Sequence, residues 1–207
     1  MANLVILVAN FSSLFFGFVL KLPQIYALYK KKDVAGMSFA STFLELFSYS
    51  IVMCYNIFNE FPIKNFAEYP VLVVQDMILI AMMLHYSKKF GITFFAFLGA
   101  YNAIVYAIAG GLMPKFVVTF LMACCTPLTA LSKGAQLRAM WSTRQAQSIS
   151  VLTWGIATYS CVCRLVTTVA TTTDVPLITN FVVALFLNFA ITVSAIYLQR
   201  QEKSKVS

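Results

Sequence analysis

The sequence predicts an all-α membrane protein with seven transmembrane helices, arranged as two parallel three-helix repeats joined by a linker helix. Three observations predict this fold: an apolar composition, long uncharged blocks, and a segment that occurs twice. Of the 207 residues 60% are hydrophobic and only 11% are charged, and the mean hydropathy is +0.82. A soluble domain of this size carries more polar surface.

The apolar residues fall in blocks of about 18 to 25 residues, which is long enough to cross ~30 Å of hydrocarbon as a helix. The connections between them are short and leave no room for a separate soluble domain. The seven predicted spans are Leu4–Tyr29, Met37–Phe58, Tyr69–Tyr86, Ile92–Gly110, Lys115–Met140, Ser148–Thr171 and Leu177–Leu198.

The basic residues between these blocks predict the orientation. If the helices alternate, one side receives ten of them: Lys30, Lys31, Lys32, Lys88, Lys89, Arg138, Arg144, Arg200, Lys203 and Lys205. The other side receives Lys64 and Lys115. This asymmetry places the N-terminus in the lumen or outside the cell and the C-terminus in the cytosol. The net charge of +8 therefore reflects topology, and we expect no nucleic-acid partner.

An internal repeat appears when the chain is shifted by 112 residues, the offset between Lys21 and Lys133. At this offset Gln24 falls on Gln136, and the first three spans fall on the last three. The fourth span has no counterpart, so both copies cross the membrane in the same direction, as in a parallel repeat. The predicted domains are 1–90 (the first copy), 91–112 (the linker helix), 113–200 (the second copy) and 201–207 (a cytosolic tail).

The same offset pairs Asp76 with Asn188, both deep inside their spans. An ionisable residue there costs at least ~2.5 kcal/mol on insertion scales and normally faces a polar interior. We expect the two side chains to meet near the pseudo-symmetry axis and to line a substrate cavity together with Gln75. The alternative is a structural role for Asp76 as a hydrogen-bonding hub.

Proline distinguishes the two copies. Pro23 removes a backbone hydrogen bond to Val19 and kinks its helix; the neighbouring Gln24 is a candidate partner for the freed carbonyl. The kink is either a hinge or a fixed bend. The second copy keeps Gln136 but has Ala135 in place of the proline, and Pro127 lies two turns earlier. The two halves should therefore flex differently.

Four further charged residues lie inside spans. We expect Lys21 and Lys133 to extend their long side chains to the interface; their recurrence also allows a role in binding an anionic group. Glu45, whose counterpart is Ala157, is expected to pair with Lys21 or to line the cavity. Arg164 is expected to extend outward or to pair with Asp174.

The Lys21-Leu22-Pro23-Gln24 segment, the basic loop after it and Gly36-Met37-Ser38 resemble the PQ-loop family. The resemblance is nearest to its solute carrier 66 branch, in three segments: Glu68–Ile80, Ser132–Leu137 and Thr158–Thr168. The resemblance implies a transporter that moves a small polar solute by alternating access, with protons as a candidate coupling ion. The mannose-P-dolichol utilization defect proteins share the Lys-Leu-Pro-Gln and a Leu44-Glu45-Leu46-like segment, which implies an alternative: a non-transporting endomembrane factor that assists the use of dolichol-phosphate-mannose in glycosylation. A receptor that binds without flux is a third possibility.

No arrangement of residues in the sequence indicates an enzyme, a cofactor or a metal site. His85 is the only histidine, and the five cysteines lie inside spans, where we interpret them as reduced packing residues. The expected partners are a small solute, protons and the bilayer, with a homo-oligomer left open. We expect an endomembrane location, in the endoplasmic reticulum or the endolysosomal system, rather than the plasma membrane.

Overall fold

The computed structural model describes residues 2–32, 34, 39–88, 91–143 and 151–206, and within these ranges the regular structure is helical throughout. The α-helices are α1 Ala2–Leu20, α2 Leu22–Lys31, α3 Phe39–Phe58, α4 Glu68–Tyr86, α5 Ile92–Ala109, α6 Lys115–Thr143, α7 Val151–Thr171 and α8 Val175–Val206. A short 3-10 helix, Ile63–Asn65, precedes α4. The chain is thus an all-helical membrane protein with seven long helical segments, α1 and α2 together forming the first.

The predicted span boundaries agree with the helices where apolar blocks meet polar residues. Phe58, Tyr86 and Thr171 end their helices as predicted, and Ile92 and Lys115 begin theirs. The main differences are at the two ends of the chain: the first span is broken in two, and α8 continues through the predicted tail to Val206. Several predicted positions lie outside the described residues: Met37, Ser38, Lys89, Arg144 and 148–150.

By length and composition, four described segments are long and apolar enough to cross a membrane. They are Leu4–Lys30, Glu68–Tyr86, Lys115–Ser142 and Val175–Gln201, while Thr42–Phe58 and Phe94–Ala109 are shorter apolar helices. Their outward surfaces carry large apolar side chains, including Phe11, Phe95, Phe116 and Phe186. Such surfaces suit a hydrocarbon solvent and not water.

The chain divides into two compact units that do not coincide with the predicted domains. One unit is Leu14–Met122, and the other combines residues 1–13 with Ala123–Ser207. Both boundaries fall inside long helices, α1 and α6, and the linker helix α5 belongs to the first of these units.

In the unit Leu14–Met122, α3 packs on both α4 and α5. Their shared cluster includes Leu46, Ile80 and Tyr101, and the hydroxyls of Ser50 and Tyr101 are 2.6 Å apart in a hydrogen bond between α3 and α5. The helix α4 also packs on α2 through Leu28, Leu79 and Met83, all nearly or fully buried. The side chains of α4 are therefore held against both α2 and α3.

In the other unit, α7 and α8 pack on each other and on the end of α6, around Met140, Ile191 and Leu198. Arg164 of α7 is 4% exposed, and its Nη1 donates a hydrogen bond to Asn10 Oδ1 at 3.3 Å. This differs from the expectation that Arg164 extends outward, because a polar partner on α1 is available inside the protein. Asp174 caps α8 by accepting a hydrogen bond from the Leu177 N–H at 3.0 Å, as acidic N-cap residues do.

The two proline-bearing helices behave differently. The first helical segment breaks at Lys21, and Pro23 lies in the first turn of α2, where its missing N–H costs least. By contrast α6 is a single helix from Lys115 to Thr143 with Pro127 inside it. The two copies therefore differ in the backbone near their prolines, and the expected difference in flexibility stays a prediction.

Candidate functional site

The break between α1 and α2 places a lysine among acidic side chains. Lys21 Nζ lies 3.0 Å from Asp76 Oδ1 of α4 and donates a hydrogen bond to Glu45 Oε2 of α3. It also lies 6.0 Å from the centre of the Tyr49 ring, within the range of a cation–π contact. We refer to Lys21, Glu45 and Asp76 as the Lys21 triad. The triad contains two carboxyl groups and one amine.

Burial differs sharply within the triad. The Asp76 side chain is fully buried, and that of Lys21 is 7% exposed, whereas that of Glu45 is 44% exposed. Lys21 therefore does not extend to an interface as expected, because two carboxyl groups within reach offset its removal from water. Asp76 Oδ2 accepts no hydrogen bond from the part of the chain that the structure describes.

Gln75, next to Asp76 on α4, contacts the end of α1 that precedes the same break. Its Nε2 donates a hydrogen bond to the backbone carbonyl of Phe18 at 2.8 Å. Asp76 contacts the side chain of Lys21, which follows Phe18 by three residues. We refer to these two contacts, Gln75 to Phe18 and Asp76 to Lys21, as the α4 clasp.

The second copy contains the equivalent lysine contact with different chemistry. Lys133 Nζ donates a hydrogen bond to Asn188 Oδ1, and the Asn188 amide donates to Cys161 Sγ at 3.3 Å. Lys133 also lies 5.8 Å from the centre of the Trp154 ring. Asn188 is 1% exposed, so its amide, like the Asp76 carboxyl group, is withdrawn from solvent.

The two sites correspond residue by residue at the offset of 112. Lys21 corresponds to Lys133, Asp76 to Asn188, and Tyr49 to Cys161; Glu45 corresponds to Ala157 and Gln75 to Leu187. In each copy the lysine of the first helix meets a polar residue of the third helix. These contacts lie within each copy, and the convergence of Asp76 and Asn188 near a common axis stays a prediction.

The comparisons with known proteins agree with this duplicated arrangement. The model of the PQ loop repeat matches residues 5–65. Human solute carrier family 66 member 3 is 33% identical to the chain over 189 residues, which cover 90% of this chain and 91% of that protein.

The chain belongs to the PQ-loop family. The family resemblance inferred from Lys21-Leu22-Pro23-Gln24 is thereby confirmed, including its solute carrier 66 branch. The matched residues 5–65 contain the break, Lys21 and Glu45, so the PQ motif of this PQ-loop protein is the segment that brings its buried lysine to α4.

Other residues predicted from the PQ motif have less prominent positions. Gln24 is exposed on α2, and Gln136 is half-buried on α6. Pro127 is exposed within α6. The glutamine that donates a hydrogen bond to a carbonyl at the break is therefore Gln75 of α4 and not Gln24. The carbonyl that accepts this hydrogen bond is that of Phe18.

Three contact residues were not singled out in the sequence: Tyr49, Trp154 and Cys161. Tyr49 and Cys161 stand at corresponding positions of the two copies and both lie beside the lysine contact. The offset of 112 could have identified both residues, because it pairs Tyr49 with Cys161 just as it pairs Lys21 with Lys133. Trp154 has Thr42 as its counterpart and left no such signal.

The chemistry available to this PQ-loop protein at the Lys21 triad is ion pairing and hydrogen bonding. Among the described residues, the His, Cys, Asp and Glu side chains form no group of three that could hold a metal ion. A site with one amine and two carboxyl groups can accept one further positive charge, as a proton or a cationic group, without accumulating net positive charge. That property suits the binding and release of a charged species inside a membrane.

Proposed function

We propose that this membrane transporter-like protein moves a small polar solute by alternating access, with the Lys21 triad as its chargeable site. The observation that carries the proposal is the fully buried Asp76, 3.0 Å from Lys21 at a break in a membrane helix. A buried carboxyl group is costly in hydrocarbon unless it is paired. A site at a helix break also has a means of changing shape.

Proton coupling follows from the composition of the triad. If a proton binds Asp76, its attraction to the Lys21 amine is lost, and Lys21 keeps Glu45 as its partner. The site then alternates between two arrangements that differ by one charge. A transporter needs such a difference, because a ligand shifts a conformational equilibrium only through its differential affinity for the two states.

The proposed orientation places the N-terminus in the lumen and the C-terminus in the cytosol, in an endomembrane. Basic residues in the last turns of α2 and α8 and directly after α4 support it through the positive-inside rule. With this orientation the break at Lys21 lies toward the cytosolic end of its segment. The related human protein carries the name of a solute carrier, which favours transport over a purely structural role.

The experiment begins with ligand binding. Purified protein is screened by thermal unfolding against hexoses, against acidic, neutral and basic amino acids, and against dolichol-phosphate-mannose. A ligand at 100 times its Kd stabilises the folded state by about 2.7 kcal/mol. We expect one class of soluble compound to raise the unfolding temperature of the wild type and not that of Asp76→Asn. Glu60→Gln is the matched control, since it makes the same chemical change at an exposed residue.

Flux measurements then distinguish a transporter from a non-transporting factor and from a receptor. Proteoliposomes with a trapped pH dye should take up the stabilising compound and, if protons are coupled, report a change of internal pH that Asp76→Asn abolishes. Stabilisation by dolichol-phosphate-mannose alone, without uptake of any soluble compound, favours the non-transporting factor. Binding of a soluble compound without uptake favours a receptor. A low unfolding temperature of Asp76→Asn with no ligand effect in the wild type makes Asp76 a structural hub.

A further inference from the structure

The break at Lys21 leaves backbone carbonyls that need partners. In an uninterrupted helix the N–H of residue i+4 bonds the carbonyl of residue i. The carbonyl of Val19 has no such partner, because Pro23 has no N–H. The N–H groups of Gln24 and Ile25 both donate to the Lys21 carbonyl, at 3.1 and 3.0 Å, so Gln24 does not serve Leu20 as an α-helix requires. The last turn of α1 therefore ends with carbonyls that lack their usual backbone donors. The usual donor for Phe18 is the N–H of Leu22, which belongs to α2, beyond the break.

Gln75 supplies one of the missing donors. Its Nε2 lies 2.8 Å from the Phe18 carbonyl oxygen, and the residue is 6% exposed. In hydrocarbon an unsatisfied backbone carbonyl costs several kcal/mol, since no water replaces the lost partner. The hydrogen bond thus stabilises the broken backbone itself, and it does so from α4, a helix packed on α2 and α3.

The second copy provides an internal comparison. Where the first copy has Pro23 and Gln75, the second has Ala135 and Leu187. There α6 runs unbroken through this position, and backbone N–H groups remain available for the carbonyls of the preceding turn. A glutamine donor occurs where the helix is broken, and an apolar leucine occurs where the helix is continuous.

We propose that Gln75 is a positioning residue that fixes the angle of the helix break, and that the α4 clasp couples this angle to the Lys21 triad. Gln75 holds the α1 side of the break through Phe18, and Asp76 holds Lys21 at the break itself. When the Asp76 contact is released, α2 turns about the break while Gln75 keeps the end of α1 in place. The coupling to transport rests on the function proposed above; the role of Gln75 at the break does not.

This inference replaces the expectation that Gln75 lines the substrate cavity. A cavity residue touches the ligand, so its substitution changes the ligand's Kd. A positioning residue acts through the backbone, so its substitution changes the shape and stability of the break and the rate of turnover. The role at the break can therefore be tested by measurements of shape and stability that need no knowledge of the solute.

The test is a double-mutant cycle of Gln75→Leu and Pro23→Ala in the full-length protein. Each substitution installs the residue of the second copy. With Pro23 present, Gln75→Leu leaves the Phe18 carbonyl without its donor, which should shift the unfolding equilibrium about tenfold or more. In the Pro23→Ala background the backbone can close into a continuous helix, and Gln75→Leu should then have little effect. Additive losses would overturn the proposal, as would an unchanged unfolding temperature for Gln75→Leu alone.

The bend itself is measured with spin labels at Phe15 and Tyr29, both exposed. A straight helix places them about 21 Å apart. Gln75→Leu should broaden the distance distribution of the wild type, and Pro23→Ala should narrow it toward the straight-helix value, with or without Gln75→Leu. A distribution that Gln75→Leu leaves unchanged contradicts the role at the break, whether or not any solute is transported.

Once a transported solute is known, Gln75→Leu should slow uptake at saturation and leave the Kd of that solute unchanged. A Kd raised with normal turnover would instead make Gln75 a substrate contact and overturn the assignment. If no solute is transported, the unfolding and spin-label results still decide the role of Gln75 at the break.

Discussion

The two copies of the repeat keep a lysine at the same position and differ in what surrounds it. In the first copy Lys21 meets two carboxyl groups at a broken helix. In the second, Lys133 meets the amide of Asn188 on a continuous helix. The shared feature is a lysine of the first helix bonded to a polar residue of the third.

The two copies differ mainly in features that allow a change of helix shape or of charge. The first copy alone combines a proline at the break, a glutamine on the Phe18 carbonyl and a site that can gain a positive charge. The second copy has neutral or apolar residues at the corresponding positions. We infer that the first copy moves and the second serves as its more rigid counterpart, so the two halves do not rock symmetrically.

The largest expected effect comes from removing the shared lysine in the first copy. Lys21→Met leaves Asp76 fully buried without a counter-charge, and breaking a buried pair in this way costs about 3–5 kcal/mol. We expect a large drop in the thermal unfolding temperature of the purified protein, most of which a second substitution, Asp76→Asn, recovers.

Lys133→Met is the matched control in the second copy. It removes a hydrogen bond from a charged donor to a neutral amide, worth about 1.5–3 kcal/mol, and leaves no buried charge. Its effect should be the smaller of the two, and an Asn188 substitution should recover little. Equal losses at Lys21 and Lys133 would mean that the lysines have the same structural role in both copies.

The fate of these lysines also marks the limit of what the sequence could predict. Helix ends such as Phe58 and Tyr86 follow from apolar blocks meeting polar residues, a local pattern. The interfacial position expected for Lys21 was wrong, because burial depends on whether a partner on another helix is within reach. The offset that pairs Lys21 with Lys133 also pairs Asp76 with Asn188. The repeat therefore indicated that each lysine contacts the polar residue of its own copy.

The hydrogen bond at the break was beyond sequence reasoning for a geometric reason. Gln24 is the nearer glutamine along the chain, yet it lies on the exposed side of α2. Gln75 is 57 residues from Phe18, and only the packing of α4 against the first helical segment places its amide at the carbonyl. A sequence without aligned relatives has no signal for such a pairing.

A second comparison concerns how closely the first and third helices of each copy approach. A Cβ added at Gly17 of α1 would lie 2.8 Å from Glu68 Cβ of α4, whereas the second copy has Thr129 and Asn180 at these positions. Gly17→Ala therefore overpacks the contact, and we expect a loss of about 1–3 kcal/mol in thermal unfolding measurements.

The control for Gly17→Ala is Thr129→Ala, which removes atoms at the corresponding position of the second copy. It should cost less, because this position already accommodates a branched side chain. A neutral Gly17→Ala would show that α1 can shift away from Glu68 freely, and the α4 clasp would then have to hold the break without close helix packing behind it.

The smallest expected effect tests which carboxyl group Lys21 depends on. Glu45→Ala makes the first copy resemble the second, which has Ala157 there. Because the Glu45 side chain is 44% exposed, its contact with Lys21 should contribute only about 0.2–1 kcal/mol, and the thermal unfolding temperature should change little while Asp76 remains.

The carboxyl group of Glu45 also distinguishes a chargeable triad from a simple ion pair. Glu45→Ala should therefore weaken proton-coupled uptake far more than it weakens the fold, since protonation of Asp76 would then leave Lys21 without its acidic partner. If the variant loses as much stability as Lys21→Met, Glu45 is a structural partner of the lysine, and the difference between the two copies concerns folding and not transport.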